Sequence, residues 1–322
     1  ICEENATKPV LNPKLVFKVD NETLLDDNAR QLLLKAHMLA ADRGSVYFAN
    51  AMQREDRNVA YSASGIKLES NITGDWETDT MRTGCLGYVT VNLPRITQES
   101  DKDRSKFFEL LKERCEFAAR ALGIKYRALK QYGKNNLPFL MQDNNGDIYF
   151  RLETCSGIIN LAGLKETVER FTGKPLDHQE SLTFAEEITQ NAQTYLHKIG
   201  RKHGRRLFIG IVHNNEASTR LAQLDIEKFG IAKVKFSGTR DKPFYSTARR
   251  LHLQAGNFAS VPSGQLDWEH KLGLNAGGNL TIIEMSTVEH KPEELLKFTI
   301  HLMQNQSIEF LTYNRIATYC LN

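Results

Sequence analysis

Two hydrophobic periodicities alternate along the chain. The segment Leu207–Val212 is a continuous apolar run, which is typical of a strand buried on both faces of a parallel sheet. Between Glu22 and Ala41, leucines and alanines recur at helical spacing instead. Because parallel neighbouring strands need helical crossovers, this alternation predicts an α/β architecture. The pattern alone does not choose between an open sheet and a closed barrel.

The same patterns predict an ordered series of elements. We expect strands at 15–19, 88–93, 148–150, 158–161, 207–212, 280–285 and 310–313, and helices at 22–41, 101–120, from 165 onward, 182–202, 216–228 and 292–304. Two stretches, 54–83 and 237–265, lack a clear period. Long irregular segments in compact enzymes are usually functional or disordered, so we look for chemistry there.

Composition narrows the class of protein. Of the 322 residues, 41% are hydrophobic, and 42 Lys and Arg against 39 Asp and Glu give a net charge of +3. These values suit a soluble globular protein, and the basic excess is too small to indicate nucleic acid as a partner. No apolar run approaches the roughly 18 residues that cross a bilayer, so we expect no membrane partner and a cytoplasmic location.

The spacing of the cysteines and a search for common motifs exclude several kinds of site. The five cysteines, at positions 2, 85, 115, 155 and 320, form no CxxC pair, which argues against a disulfide framework and against a complete zinc site. The phosphate loop GxxxxGK[ST], the dinucleotide motif GxGxxG and the metalloprotease motif HExxH are also absent. The chain begins with Ile1 rather than Met, and we interpret both ends as cuts through a longer polypeptide.

One segment combines a cysteine, glycines and an amide at a strand. Cys85 lies between Gly84 and Gly87 at the start of a predicted strand, and Asn92 follows seven residues later, before Pro94. Flanking glycines let the backbone approach a ligand closely, so Cys85 and Asn92 are candidate site residues. The alternative is that Cys85 is an inert buried thiol and Asn92 a cap for the turn at Pro94. The residues alone favour this alternative.

Three further groups are candidates of the same kind. Cys155 lies at another strand start, where a buried core thiol is an equal alternative, whereas Cys115 lies on an apolar helix face and is predicted to be core. The residues after the strand ending at Val212 open a helix whose free N–H groups could bind an anion, with ordinary capping by Asn215 as the alternative. The Arg249–Arg250 pair could assist a phosphate or be solvated.

A resemblance to a known family changes this balance. The segment Gly87–Ile96, with the sequence GYVTVNLPRI, resembles the strand motif of anaerobic (class III) ribonucleoside-triphosphate reductases. Further segments resemble later parts of that family in the same order, and together they cover about Pro13 to Cys320. These segments are 106–111, 158–166, 216–225, 244–247, 277–279 and 310–314.

The resemblance implies a fold and an activity. The expected fold is a ten-stranded α/β barrel of two five-stranded parallel half-sheets with a central finger loop, truncated at both ends. Residues 1–322 would form a single catalytic barrel domain, without an N-terminal regulatory part or a C-terminal segment. In the family, a thiyl radical removes the 3′ hydrogen of a ribonucleotide. Two alternatives stay open: a nucleotide-binding barrel without turnover, and a glycyl-radical enzyme that acts on another substrate.

The resemblance also assigns roles to residues of this chain. Asn92 matches the family's active-site asparagine, which orients the ribose hydroxyls. Cys85 is the first candidate for the radical cysteine and Cys155 the second, although many members carry that cysteine upstream, around Ser62 to Gly65 of this chain. The expected substrate-binding residues are Ser62, Ser64, His213, Asn214, Asn215, Glu216, Ala217, Ser218, Ser246, Thr247, Gly277 and Gly278. The loop from His213 departs from the T-P-A-E that is common in the family.

Cofactors and partners follow from the same resemblance. Cys320 matches the opening of a C-terminal zinc-binding segment, and no R-x-x-G-Y radical motif occurs in this chain. We therefore expect structural zinc and a glycyl radical on a missing segment, with this chain inactive alone. The full protein would take ribonucleoside triphosphates, bind ATP or dNTP effectors, form a homodimer and require a radical-SAM iron–sulfur activating enzyme. Formate or a thiol redox protein would be its reductant.

Overall fold

The computed structural model describes residues 14–44, 46–52, 58–62, 65–69, 73–210, 215–247, 250–253, 277–285, 290–305 and 308–315. The strands are β1 (Leu15–Val19), β2 (Val46–Asn50), β3 (Ala60–Tyr61), β4 (Lys67–Leu68), β5 (Cys85–Asn92), β6 (Asp143–Asn144), β7 (Asp147–Ile148), β8 (Ser156–Ala162), β9 (Arg206–Gly210), β10 (Ser237–Thr239), β11 (Lys242–Phe244), β12 (Arg250–Leu253), β13 (Thr281–Met285) and β14 (Phe310–Arg315). The helices are α1 (Asn21–Leu25), α2 (Asp27–Arg43), α3 (Trp76–Thr80), α4 (Leu93–Ser100), α5 (Arg104–Asn136), α6 (Leu164–Thr172), α7 (Gln179–His203), α8 (Asn215–Phe229) and α9 (Pro292–Asn305).

A three-stranded parallel sheet forms the centre of the molecule, in the order β5-β8-β9. One face carries Val89, Val91, Ile159, Leu161 and Ile209, which pack with α5 and α7 in the larger apolar core. Every position of β8, the central strand, is buried. The opposite face of the sheet is therefore the one available for chemistry.

A five-stranded sheet has the order β1-β2-β14-β13-β12. The pairs β1–β2, β12–β13 and β13–β14 are parallel, whereas β14 and β2 are antiparallel. Helices α2 and α9 cover one face and share a second apolar core with it. The antiparallel pair joins two parallel sets that run in opposite directions, which is the arrangement expected where two parallel half-sheets meet.

The antiparallel hairpin β3–β4 lies between these two sheets. The Tyr61 ring stacks on Phe310 of β14, with 4.8 Å between ring centroids. Ile66 packs with Ile158 of β8. The backbone N–H of Lys67 donates to the carbonyl of Gly277, at 3.1 Å. The hairpin therefore contacts both sheets, as a central finger loop requires.

The α/β prediction is confirmed, with several local corrections. Within the described residues, eight strands form the two larger sheets, compared with the ten expected for the whole barrel. The strand predicted at 148–150 is only the second arm of the short hairpin β6–β7. The predicted helix 101–120 runs on to Asn136, and α4, which the sequence analysis did not predict, precedes it. No helix in the described ranges is both long and apolar enough to cross a membrane.

Candidate functional site

The carboxyl ends of β5, β8 and β9 meet at one edge of the parallel sheet, which we call the carboxyl edge. Ligands of parallel α/β sheets bind at this kind of edge, because the loops that leave the strands gather there. Asn92 ends β5, and Gly163 follows the end of β8. The backbone N–H of Gly163 donates to the carbonyl of Ser246, at 2.8 Å. The edge therefore brings together segments that lie far apart in sequence.

Asn92 uses both ends of its amide at this edge. Its Oδ1 accepts a hydrogen bond from the backbone N–H of Arg95, at 3.0 Å, and so caps α4. Its Nδ2 donates to Oδ2 of Asp225, at 2.9 Å. The predicted capping role is therefore present, and the side chain is held in one orientation.

Asp225 collects three donors in a fully buried position on α8. Besides Asn92, it accepts from the Tyr245 hydroxyl, at 2.6 Å, and forms an ion pair with Nε of Arg95. Burial raises the pKa of Tyr245, and the hydrogen bond to Asp225 raises it further, so the phenol stays protonated. The carboxylate thus links β5, α4, α8 and the segment after β11.

Glu166, on α6, is a second buried carboxylate that, like Asp225, accepts hydrogen bonds from three donors. Its buried carboxylate accepts from the backbone N–H of Ser246, at 3.1 Å, and from the hydroxyls of Ser246 and Ser237, at 2.7 and 2.5 Å. Three donors satisfy the buried charge. Ser246 is therefore fixed at the carboxyl edge, with half-buried Thr247 next to it.

The start of α8 only partly matches its expected role in phosphate binding. His213 and Asn214 lie outside the described residues. Glu216 is exposed and Ala217 is half-buried, but Ser218 is buried and its hydroxyl donates to the carbonyl of Tyr245. That hydrogen bond directs the Ser218 hydroxyl into the fold, so the described contact is structural.

The opposite end of β5, which we call the amino edge, carries the predicted cysteines. Cys85 packs against Ile66 and Ile158 between the two sheets, and its Sγ donates to the carbonyl of Gly87, at 3.3 Å. Burial raises the pKa of Cys85 to about 11, so the sulfur keeps its hydrogen at neutral pH. Cys155 instead belongs to the apolar core shared with α5 and α7.

Cys85 and Asn92 are the first and last residues of β5. At the rise of an extended strand, seven steps separate them by roughly 20 Å. Cys85 and Asn92, which the resemblance assigns to one active site, therefore lie far apart, and one ribose cannot contact both side chains. This correction follows from the extended backbone between them, since only a loop could have brought the two residues together.

Two glycines expected to bind substrate have a packing role in the described structure. The backbone N–H of Gly277 donates to the carbonyl of Ile209, at 2.9 Å. Gly278 has φ +97°, and a Cβ there would lie 1.9 Å from the carbonyl oxygen of Gly65. Only glycine permits this contact between the hairpin and the sheet. Their predicted contact with substrate stays a prediction.

Comparison with known proteins identifies the family. The family model of the anaerobic ribonucleoside-triphosphate reductases matches residues 2–322. This chain belongs to that family. The anaerobic ribonucleoside-triphosphate reductase of Salmonella typhimurium is 26% identical over 228 residues, which are 65% of this chain and 30% of that protein. The chain therefore spans about a third of the length of this curated relative.

Solved structures agree in fold. An anaerobic ribonucleotide reductase superposes with a TM-score of 0.66 at 18% identity, over 97% of this chain and 48% of the other. The Thermotoga maritima enzyme in complex with dATP and CTP gives a TM-score of 0.65 at 19% identity, over 97% and 49% of the two chains. At these identities the likeness shows the reductase barrel fold alone.

In this member of the reductase family, Ile66 is buried near the position where many members place their radical cysteine. Ser62 shapes the turn beside it, since the Ser62 N–H donates to the carbonyl of Ile66, at 2.9 Å, and its Oγ accepts from the Ile66 N–H, at 3.3 Å. Ser64 lies outside the described residues. The described Ser62 hydrogen bonds therefore organise the hairpin.

Zinc was expected on the C-terminal segment that Cys320 opens. Among the residues that the structure describes, no group of three or more His, Cys, Asp or Glu side chains could hold a metal ion. Cys320 and Cys2 lie outside those residues. Cys115 is buried in the apolar core, where burial raises its pKa to about 12, so the prediction of a core thiol is confirmed.

Sequence reasoning missed the carboxylates of the carboxyl edge. Asp225 stands three and four residues after Ala222 and Leu221, on the apolar face of α8. An acid in such a position was the available signal, because buried charges are rarely tolerated unless they are paired. Glu166 left no comparable signal, since its partners Ser237 and Ser246 come from a segment about 70 residues away.

Proposed function

We propose that this chain forms the catalytic barrel of an anaerobic ribonucleoside-triphosphate reductase, as a single domain over residues 1–322. The full protein would reduce ribonucleoside triphosphates to deoxyribonucleotides. One observation carries the proposal: a hairpin held between two sheets places Ile66 beside Cys85, in a chain that matches the family over residues 2–322.

Cys85 is proposed as the thiyl cysteine. Among Cys85, Cys115 and Cys155, the cysteines in the described residues, Cys85 is the one that packs between the sheets, and the other two lie in the core against the helices. The raised pKa of Cys85 keeps the S–H bond intact at neutral pH. Cysteine side chains can exchange hydrogen atoms with sugar carbons, whereas hydroxyls hold theirs too strongly.

In the proposed chemistry, the Cys85 sulfur first accepts a hydrogen atom from the ribose and later returns one. The glycyl radical expected on the C-terminal segment would take the hydrogen atom of the Cys85 S–H bond, so that a C–H bond forms on that glycine as the S–H bond breaks. The Cys85 sulfur, as a thiyl radical, removes the 3′ hydrogen atom, so that an S–H bond forms as the C3′–H bond breaks, and it returns a hydrogen atom to C3′ at the end of turnover. The 2′ hydroxyl leaves as water with one proton. Formate, oxidised to CO2, or a thiol redox protein, oxidised to its disulfide, supplies the two electrons that, with a second proton, place a hydrogen on C2′.

This assignment orients the substrate. With the ribose beside Cys85 and Ile66, the triphosphate extends along the interior face of the sheet toward the carboxyl edge. Asn92 then acts on the phosphate end rather than on the ribose hydroxyls, since about 20 Å of strand separate it from Cys85. The segment from His213 to Ser218 would bind phosphates through backbone donors at the same edge. The Ser246–Thr247 pair would line the site beside it, with Ser246 held by Glu166.

The remaining cofactors and partners belong to the full protein. The Thermotoga maritima neighbour was solved with dATP and CTP, which supports nucleotide substrates and effectors for this chain as well. We propose a radical-SAM activating enzyme, structural zinc that uses Cys320, a homodimer and a cytoplasmic location.

The full protein tests the proposal directly. After anaerobic incubation with its activating enzyme, S-adenosylmethionine and a reductant, we expect a glycyl radical in the electron paramagnetic resonance spectrum. Chromatography should then show conversion of CTP to its deoxy form. Activation that yields no glycyl radical, or a radical without deoxynucleotide, would contradict the proposal.

A further inference from the structure

Asp225 ties together three segments of the carboxyl edge. It lies on α8 and has no exposed surface. Its three partners come from elsewhere in the chain: Asn92 at the end of β5, Arg95 in the first turn of α4 and Tyr245 after β11. Of these contacts, the hydrogen bond to Asp225 is the one that joins the Asn92 side chain to α8. The position of the amide therefore depends on this carboxylate.

The charge of Asp225 holds its three partners, Asn92, Arg95 and Tyr245, in one arrangement, which we call the Asp225 junction. A buried carboxylate is tolerated when charged and polar donors satisfy it, and here an ion pair with Arg95 and two neutral donors do so. The Arg95 guanidinium also lies over the Phe229 ring at the end of α8, at 5.4 Å from its centroid. A change at any one donor leaves the charge less well satisfied, so the four groups hold each other in place.

The same junction reaches the start of α8. Tyr245 binds Asp225 through its hydroxyl, while its backbone N–H donates to the carbonyl of Ser218, at 3.3 Å, and its carbonyl accepts from the Ser218 hydroxyl. Ser246 follows directly and is held by Glu166. Through Tyr245, Asp225 therefore fixes the positions of the first turn of α8 and of the Ser246–Thr247 pair relative to Asn92.

We propose that Asp225 is a positioning residue for nucleotide binding: it holds Asn92, the start of α8 and the Ser246–Thr247 pair in the arrangement that receives the triphosphate. Asp225 itself does not touch the nucleotide, because its carboxylate is enclosed by its donors. The proposal rests on the proposed function and adds to it a role for Asp225, a residue to which the resemblance assigns none. A purely structural role predicts lost stability alone, whereas positioning predicts weaker nucleotide binding in the folded protein.

The experiment compares Asp225→Asn with Thr299→Val in the full, activated protein. Thr299 is a buried residue of the other core, where its hydroxyl bonds His37 and Tyr313. Thr299→Val therefore removes a buried polar contact, as Asp225→Asn does, but at a position away from the carboxyl edge. For Asp225→Asn we expect KM for CTP to rise about tenfold with kcat within about twofold, because ground-state binding is lost while the Cys85 end is untouched. Thr299→Val should lower the melting temperature and leave KM unchanged.

A double-mutant cycle shows whether Asp225 acts through Asn92. If it does, Asn92→Ala combined with Asp225→Asn should raise KM little more than the larger single change. Tyr245→Phe, which keeps the ring and removes one donor, should give a smaller rise in KM than Asp225→Asn. Fully additive effects of Asn92→Ala and Asp225→Asn would overturn the proposal.

The outcomes separate this inference from the proposed function. If wild-type protein forms neither a glycyl radical nor a deoxynucleotide, the proposed function fails. If wild-type protein turns over and Asp225→Asn shares the unchanged KM of Thr299→Val, only the positioning role fails. If Asp225→Asn does not fold, Tyr245→Phe decides: an unchanged KM overturns the inference, and a raised KM supports it.

Discussion

The two ends of strand β5 differ in the chemistry that surrounds them. At the amino edge, Cys85 meets the apolar side chains Ile66, Ile158 and Phe208. At the carboxyl edge, Asn92 meets a buried carboxylate with its own set of donors. Apolar surroundings keep a thiol neutral and exclude water, which suits hydrogen-atom transfer. A hydrogen-bonded network fixes polar groups in place, which suits recognition of an anionic ligand.

Under the proposed function, this contrast places the reaction and the recognition of the nucleotide at opposite ends of one strand. The strand provides a rigid spacer of roughly 20 Å between the two edges. A nucleotide whose ribose and phosphates must be held at different places can use both ends. Changes at the amino edge should therefore affect turnover, and changes at the carboxyl edge should affect binding.

The largest expected effect is at Cys85. In the full protein, Cys85→Ser should abolish turnover while the fold and the glycyl radical remain, because a hydroxyl cannot replace a thiol in hydrogen-atom transfer. Cys155→Ser is the matched control, since Cys155 belongs to the apolar core shared with α5 and α7, and it should retain turnover in the folded fraction. Product assays and electron paramagnetic resonance on the same samples measure both properties.

Retained turnover in Cys85→Ser would remove the sulfur from the mechanism. The substitution would then report only a buried thiol, with a loss of about 1–3 kcal/mol in unfolding free energy from a poorly paired hydroxyl. In that case Cys155→Ser becomes the decisive variant.

The apolar character of the amino edge can be weakened at Ile66. Ile66→Ala removes a side chain that is 3% exposed, so we expect a loss of about 2–4 kcal/mol in unfolding free energy from lost burial and a cavity. Ile231→Ala, at a side chain that is 36% exposed, is the control and should change stability by less than about 1 kcal/mol. Denaturant titration measures both, and equal small losses would mean that the hairpin is not held between the sheets as described.

In the second core, His37 should make the unfolding free energy depend on pH, by an amount similar to the loss expected for Ile66→Ala. Burial lowers the pKa of His37 to about 4 from 6.5, and its ring stacks on Phe48 while Nε2 contacts Thr299. Because the folded-state pKa is depressed, the stability from neutral His37 is present above pH 6.5 and is lost as pH falls toward 4. The loss should reach about 3 kcal/mol at the acid limit.

Stability measured between pH 7 and 4 tests this prediction. The variant His37→Gln should lose much of the change across that window, since its amide does not titrate. An equally steep acid loss in wild type and variant would assign the effect to other groups.

The smallest expected effect is at Ser218. Because its hydroxyl donates to the Tyr245 carbonyl, Ser218→Ala should cost about 1 kcal/mol of unfolding free energy for one neutral hydrogen bond. Thr219→Ser, one position along, removes a methyl group and keeps the hydroxyl, and it serves as the control. Nucleotide affinity, measured by titration calorimetry, should change little in both variants, because the Tyr245 N–H still donates to the Ser218 carbonyl and holds the first turn of α8. A clear loss in Ser218→Ala alone would show that the hydroxyl itself contributes to nucleotide binding.

Most of the helices and strands were predictable from the sequence. Hydrophobic period placed β8, β9, α7 and α8 close to their observed bounds, because each buries one face or both faces. The motif around Asn92 indicated the family, and the family match confirms it. Helix α4 was missed because a strand, a cap and a helix meet at Asn92 and Pro94 without an intervening turn.

By itself, the sequence determined the class of fold, the core and the family, because periodicity and a local motif are properties of neighbouring residues. Only the tertiary structure decided that Cys85 packs with Ile66 and Ile158 whereas Cys155 joins the core shared with α5 and α7. It also decided that Cys85 and Asn92 lie at opposite edges, and that Asp225 and Glu166 organise the carboxyl edge. The contacts of Asp225 join residues up to 133 positions apart. Such contacts arise when strands and loops come together in space. Hydrophobic periodicity does not predict which distant donor will satisfy a buried charge, because it depends only on neighbouring residues.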